Sequence, residues 1–404
     1  MIENTVLLGT ALLAAAWLFR PSLRRSPNWI ATVTPLASII GSGFLVVAPL
    51  LAHAVNGWAL AAISAIVVLA YAIGAVIRFN IRHAEPLLGA RIAPPMLQSV
   101  ERLSNLALGF AYLVSVAFYI RLLASFVLRA AETRNDLYAN LITSAVLLFI
   151  GITGLRRGLS GLERLEEYAV NLKLAIIVAL LLGLAWYDID WSLGGGRVVT
   201  LPIENWVHAA RMLGGILLVI QGFETSRYLG AAYDAETRIR TMRHAQIISG
   251  IIYVVFVALA LPLLAEFHGS HDETAIITMT ARVAAVLPAM LIVAAVMSQF
   301  SAAVADTVGG GGLFSEFSRR RLPQHVSYLL VVIAAIVVVW SANIFHIVAL
   351  ASRAFAFYYF LQCLVALVAS TRSAKLQKVL LWRSFLVLMS LALLLVVLFA
   401  TPDP

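Results

Sequence analysis

The residues with chemistry to offer sit inside apolar runs. Gly41-Ser42-Gly43 interrupts the run 29–55, and Gly222 with Glu224 interrupts the run 205–232. Glycine adds backbone freedom and no side chain, so each interruption can open a helix and expose peptide N–H and C=O groups. Such groups cost several kcal/mol each in hydrocarbon, which is tolerated only where they line a cavity and meet a ligand or a neighbour. The N–H groups of Gly41, Ser42 and Gly43 begin an outer half-helix whose positive end suits a carboxylate. Glu224 in the middle of a span costs at least about 2.5 kcal/mol unless satisfied. It serves either as a tie between helices or as a direct ligand.

Lys173, one of three lysines, lies within Asn171-Leu172-Lys173-Leu174-Ala175. Burial strips hydration from its charged form, so it can load and release a proton; alternatively it snorkels to the inner surface as an anchor. Ser298 and Ser301 are three apart, share a helix face, and with main-chain carbonyls can hold sodium. A lysine and a sodium ion repel at one site, so proton coupling or plain exchange is expected ahead of sodium coupling. Asp306 reads either as a second proton-carrying group or as a cap near the inner end of its helix. The glycine run 309–312 can be a hinge at an inner gate, but a flexible connector to Arg319-Arg320-Arg321 is the preferred reading. Tyr119 either lines the pocket or packs between helices.

Enzyme chemistry finds no foothold. His268-Gly269-Ser270-His271 has metal-like spacing in an outer loop without a third ligand, so a solvated loop is expected and no metal site. There is no H-E-x-x-H, no G-x-S-x-G and no phosphate loop, and the glycine run is followed by no phosphate-binding lysine. No cofactor is expected beyond a coupling proton or sodium ion. The one cysteine, Cys363, allows no internal disulfide.

The elements that must position these residues follow from composition. Hydrophobic residues make up 62% of the 404 positions and charged ones 12%, against about 25% charged in globular chains. Apolar runs near the roughly 20 residues needed to cross a bilayer recur along the whole length. Spans are expected at 4–20, 29–55, 57–80, 101–130, 138–155, 162–187, 205–232, 242–266, 278–308, 325–342, 345–370 and 379–400. The fold class is thus an all-α polytopic membrane protein with 12 transmembrane helices. Residues 158–167 read as a short interfacial amphipathic helix leading into the sixth span.

The net charge of +9 comes mostly from arginines in short gaps between runs, with no basic tail, so nucleic acid is not an expected partner. With the gap at Arg20 to Arg25 inside, only Arg129, Arg134, Arg197 and Arg282 fall in outer loops. That is the positive-inside asymmetry; it puts both termini outside and membrane lipid around the chain. The first run is followed by arginines and lacks a convincing cleavage site, so a retained helix is expected. Two glycine-broken spans at corresponding positions of oppositely oriented halves point to a midplane transport site. The core is then a five-plus-five inverted repeat, residues 29–187 and 205–372. Residues 1–28 and 373–404 add one helix at each end. A channel is the rival class, but it calls for one continuous polar pore rather than two separated breaks.

The two broken segments, Ser38-Ile39-Ile40-Gly41-Ser42-Gly43-Phe44 and Ile220-Gln221-Gly222-Phe223-Glu224, resemble the amino acid-polyamine-organocation (APC) transporter superfamily. The resemblance implies the leucine-transporter-type fold and a secondary transporter for a small amino-acid-like solute in an inner membrane. It implies an ammonium site at the carbonyls of Ile39, Leu218 and Gln221, with Phe223 closing over the solute. It also implies that Lys173 occupies the place sodium takes in sodium-driven relatives, facing the broken first core helix and the hydroxyls of Ser298 and Ser301. The stretch Arg82-His83-Ala84-Glu85-Pro86-Leu87 departs from the pattern usual in amino-acid permeases, which suggests an outlying branch with a different solute.

Overall fold

A chain this apolar has no water to satisfy its peptide groups, and the described residues place them in helices. The structure is a computed structural model that describes residues 2–41, 43–90, 93–131, 133, 135–196, 203, 205–217, 220–266, 279–319, 321–341, 344–371 and 379–400. Among them, eight helical stretches are long and apolar enough to cross a membrane.

In chain order, α1 is Ile2–Leu18 and α2 Pro21–Arg24. The first broken segment gives α3, Pro27–Ile39, and α4, Gly43–Val55. Next come α5, Ala59–Gly89, and α6, Pro95–Ala130. The runs expected at 138–155 and 162–187 are two helices that meet at a kink at non-helical Gly158 (φ 62°, ψ −153°), together labelled α7, Asp136–Leu193. A second broken segment gives α8, Trp206–Leu217, and a 3-10 helix, Phe223–Leu229. The chain then continues as α9, Ala235–Glu266, and α10, Leu287–Phe317. It closes with α11, Gln324–Ser341, α12, Ile344–Ser370, and α13, Val379–Phe399.

The two broken segments form the middle of the bundle. The 3-10 helix packs on α3, α5, α9 and α10, while α3 also meets α7, α9 and α10. Around them, α6 packs on α10 and α12, and α7 on α10 and α11. By contrast α1 rests on α7 and α13 on α12, at the edge of this arrangement.

Three sequence expectations are corrected here. The run expected at 278–308 is helical over Leu287–Phe317, so Asp306 lies well inside α10 and caps nothing. The glycines at 309–312 are neither connector nor hinge: they are helical and buried. A Cβ on Gly309 would come 2.9 Å from the Tyr112 ring, and one on Gly312 would come 2.6 Å from the Tyr228 carbonyl oxygen. Missing side chains thus let α6 and the 3-10 helix close onto α10, which offsets the helix propensity lost at each glycine. Residues 158–167 are not an interfacial helix either, since Glu166 is fully buried and Glu167 nearly so.

Candidate solute and coupling site

The helix α3 stops because Ile40 leaves helical geometry (φ −86°, ψ 55°). The carbonyls of Ala37, Ile39, Ile40 and Gly41 meet side-chain donors from other helices. The Tyr253 hydroxyl donates to the Ile39 carbonyl at 2.9 Å, and the Ser298 hydroxyl lies 2.6 Å from the Ile40 carbonyl and 2.9 Å from that of Gly41. Lys173, wholly buried on α7, donates from Nζ to the Ala37 carbonyl at 3.1 Å, to Ser301 Oγ at 2.8 Å and to the Ile40 carbonyl. An ammonium has three N–H donors, and all three are used here. Snorkelling is therefore excluded for Lys173. The Ser301 hydroxyl donates in turn to the Ser298 carbonyl at 3.1 Å, so the group is closed on the α10 side.

The second break turns on Gly222, whose φ of 114° an L side chain rarely adopts. Seven residues of 3-10 helix follow, longer than such runs usually reach, which marks a strained or hinge-like segment. A Cβ on Gly222 would lie 2.8 Å from the Ser38 backbone carbon, so the two breaks touch. On one side of that contact, Glu224 Oε2 accepts from the Gly222 N–H at 3.0 Å and from the Tyr359 hydroxyl at 2.5 Å. On the other, Asp306 Oδ1 accepts from Ser38 Oγ at 2.8 Å and Oδ2 accepts from Ser115 Oγ. Both carboxylates are fully buried, and neither has an ion-pair partner among the described residues. The neighbouring Glu224 Oε1, Gln221 Oε1 and Tyr112 hydroxyl are buried without a hydrogen bond of good geometry among the described residues.

The structure therefore gathers most of the residues singled out from sequence. Gly222 touches Ser38, which brings Gln221, Phe223 and Glu224 of the second break to the first, where Ile39 and Gly41 flank the end of α3; Gly43 opens α4. Phe223 stacks on Tyr359 with ring centroids 5.4 Å apart. Tyr119 lies within electrostatic reach of Asp306 and Glu224 and beside Gln221. Lys173, Ser298 and Ser301 form the adjoining cluster. Ser42, Leu218, His268 and His271 lie outside the described residues. One expectation shifts: the Ile39 carbonyl is already engaged by Tyr253. Sequence reading missed Tyr253, Tyr359, Ser38, Ser115 and Glu166; only their lying in or beside apolar runs could have flagged them.

Further along the 3-10 helix, Arg227 is buried among acceptors. It reaches Glu101 Oε1 at 3.0 Å, Glu85 Oε1 at 3.4 Å and Gln362 Oε1. Arg238 pairs with Glu85 at 2.8 Å and also donates to the Arg227 carbonyl. Gln362 in turn donates to Ser104 Oγ at 2.7 Å and accepts from Asn80 at 2.8 Å. This network ties the 3-10 helix to α5, α6, α9 and α12. Removing one member of a buried pair leaves the other charge uncompensated, at about 3–5 kcal/mol. Arg227→Met is accordingly expected to lower the thermal unfolding midpoint of the purified protein more than Arg82→Met, whose pair with Glu236 is exposed.

A family model described as an APC superfamily transporter matches residues 21–400. A protein of Aquifex aeolicus (strain VF5), described as uncharacterized, is 47% identical over 362 residues, covering 88% of each chain. Among solved structures, a Na+-coupled sialic acid symporter in a substrate-bound outward-open state aligns with a TM-score of 0.59 at 15% identity, over 98% of this chain and 96% of that one. A mutant manganese transporter of Eremococcus coleocola aligns with a TM-score of 0.58 at 14% identity, over 94% of this chain and 87% of that one. Likeness at such identity speaks to fold, and the fold is the leucine-transporter type. With two touching helix breaks at its centre and a family match over nearly its whole length, this chain belongs to the APC superfamily of transporters.

Proposed function

We propose that this secondary transporter moves a small amino-acid-like solute across a bacterial-type inner membrane by alternating access, coupled to protons or working by exchange through Lys173. The proposed frame is twelve spans with both termini outside and a five-plus-five inverted repeat as core. The solute's carboxylate meets the N-terminal N–H groups of α4 at Ser42 and Gly43, where a helix dipole favours an anion. Its ammonium meets the acceptors of the second break: the carbonyls of Leu218 and Gln221, with Glu224 and Asp306 close by. Phe223 and Tyr119 cover it.

The single observation that carries this reading is the Lys173 ammonium held by Ala37, Ile40 and Ser301 at the first break. Protonated, it ties α7 to α3 and α10. After losing a proton it has two N–H groups and a lone pair, so one acceptor goes without its donor and the contact of α3 with α10 loosens. Buried acceptors left bare cost about 1–3 kcal/mol each, enough to bias a two-state element. Small hydroxyl and carbonyl oxygens at Ser298, Ser301, Ile40 and Gly41 are also what a sodium ion selects, but the lysine already fills that position.

The test is uptake of a labelled amino-acid mixture by proteoliposomes. Saturable accumulation driven by an inward pH gradient in the absence of sodium is expected. Accumulation that requires sodium and ignores the pH gradient overturns proton coupling, and unitary currents in a planar bilayer overturn the carrier.

A further inference from the structure

We infer that Glu166 and Glu163 on α7 form the path by which the Lys173 proton leaves toward the inner surface; this rests on the proton-coupled reading above. Residues 163, 166 and 173 are three and seven positions apart, so they share one face of α7, with about 10 Å of rise between Lys173 and Glu166. Glu166 is completely buried. Thr34 Oγ1 donates to its Oε2 at 2.5 Å, whereas Oε1 has no partner among the described residues. Thr34 is one turn before Ala37 on α3, so Glu166 braces the same half-helix that Lys173 holds at its end.

Groups on three elements can pass or steer a proton at Glu166. Lys173 and Glu163 interact with it electrostatically along α7. Asp306 does so from α10, and Tyr328 from α11. The Tyr328 hydroxyl is buried and, like Glu166 Oε1, has no partner among the described residues. Buried polar atoms left without a partner, on residues in electrostatic reach of each other, are the kind that a water satisfies. Beyond them, Glu163 Oε1 accepts from the Tyr233 hydroxyl at 2.8 Å, where Arg157 and Arg164 are exposed. Arg24 pairs with Glu167 at 2.7 Å instead, and Glu166 has no ion pair among the described residues.

A purely structural tie to Thr34 needs only a carbonyl oxygen, which glutamine supplies without burying an acid. The carboxyl group makes sense as a carrier. When the first break opens inward and admits water, an N–H proton of the Lys173 ammonium passes through that water to a Glu166 oxygen, leaving a neutral amine and a carboxylic acid. The Glu166 O–H then gives its proton to the Glu163 carboxylate, and Glu163 gives it to bulk water, which restores both carboxylates.

The experiment compares full-length wild type, Glu166→Gln and Glu163→Gln in pyranine-loaded proteoliposomes, with the labelled amino-acid mixture as probe. Counterflow, which moves no net proton, is read beside the internal acidification that follows solute addition. Glu166→Gln is expected to keep wild-type counterflow and to slow acidification about a hundredfold, the low end of what a positioned proton carrier contributes. Glu163→Gln is expected to slow acidification less and carries the same test should Glu166→Gln fail to assemble. Acidification at the wild-type rate in both variants overturns the path, as does equal loss of counterflow and acidification, which marks a structural role. A wild type with counterflow but no acidification removes the proton-coupled reading itself, and the path with it.

Discussion

Lys173→Met is expected to abolish accumulation driven by a pH gradient while leaving a folded protein. Methionine fills nearly the same apolar volume along the side chain but brings no donor. Of the three acceptors, Ile40 keeps Ser298, and Ser301 keeps its bond to the Ser298 carbonyl, so the cluster is weakened rather than emptied. The structural cost is therefore about 1–3 kcal/mol, the penalty for a bare buried acceptor. Coupling suffers far more, because the ammonium that ties α7 to both α3 and α10 is lost, while Asp306 and Glu166 keep their bonds to Ser38 and Thr34 on α3. Coupling free energies run to about 3 kcal/mol, or about 150-fold, and a loss of that order in gradient-driven accumulation is expected. Passive counterflow is expected to persist at a reduced rate. The measurement is paired accumulation and counterflow in the same proteoliposomes; accumulation at the wild-type level in the variant contradicts the role given to Lys173.

Gly222→Ala is expected to have the larger effect on stability. Its φ of 114° lies where an L side chain is strained, at about 1–2 kcal/mol. The added methyl also meets the Ser38 backbone at 2.8 Å, and forcing extra volume into a packed position costs about 1–3 kcal/mol more. Neither segment can retreat, since Ser38 holds Asp306 and Glu224 holds the Gly222 N–H. The expected result is a thermal midpoint well below wild type, and loss of any solute-induced rise in that midpoint. Ser38→Gly in the same chain removes the side-chain part of the clash but not the φ strain, so partial recovery is expected. Full stability in Gly222→Ala alone contradicts the contact between the two breaks.

The breaks were legible because glycine and glutamate inside long apolar runs stand out against a hydrocarbon solvent. Lys173 was legible for the same reason, while its expected facing of Ser298 and Ser301 came from the family resemblance; the ammonium bonds Ser301, and Ser298 shares the Ile40 carbonyl with it. Asp306 was misplaced because the glycines after it were read as they behave in water, as a break. In this bundle they are the surface against which Tyr112, Tyr228 and Tyr328 pack, and the helix runs on to Phe317. Glu166 escaped notice within a stretch crowded with charges at Arg156, Arg157, Glu163, Arg164 and Glu167. Hydropathy averages over such a stretch and does not reveal which of its faces docks against Thr34. The Arg227 network joins residues more than a hundred positions apart, and no local pattern encodes pairs of that kind.

In the proposed mechanism a proton bound at Lys173 moves with the solute, and this coupling is open to direct test. Its most direct measurement is the internal pH of pyranine-loaded proteoliposomes when the labelled amino-acid mixture is added with equal pH on both sides and no sodium present. Acidification that follows solute entry in wild type and vanishes in Lys173→Met is the predicted result. Solute entry with no change of internal pH, or the same acidification in both proteins, contradicts it.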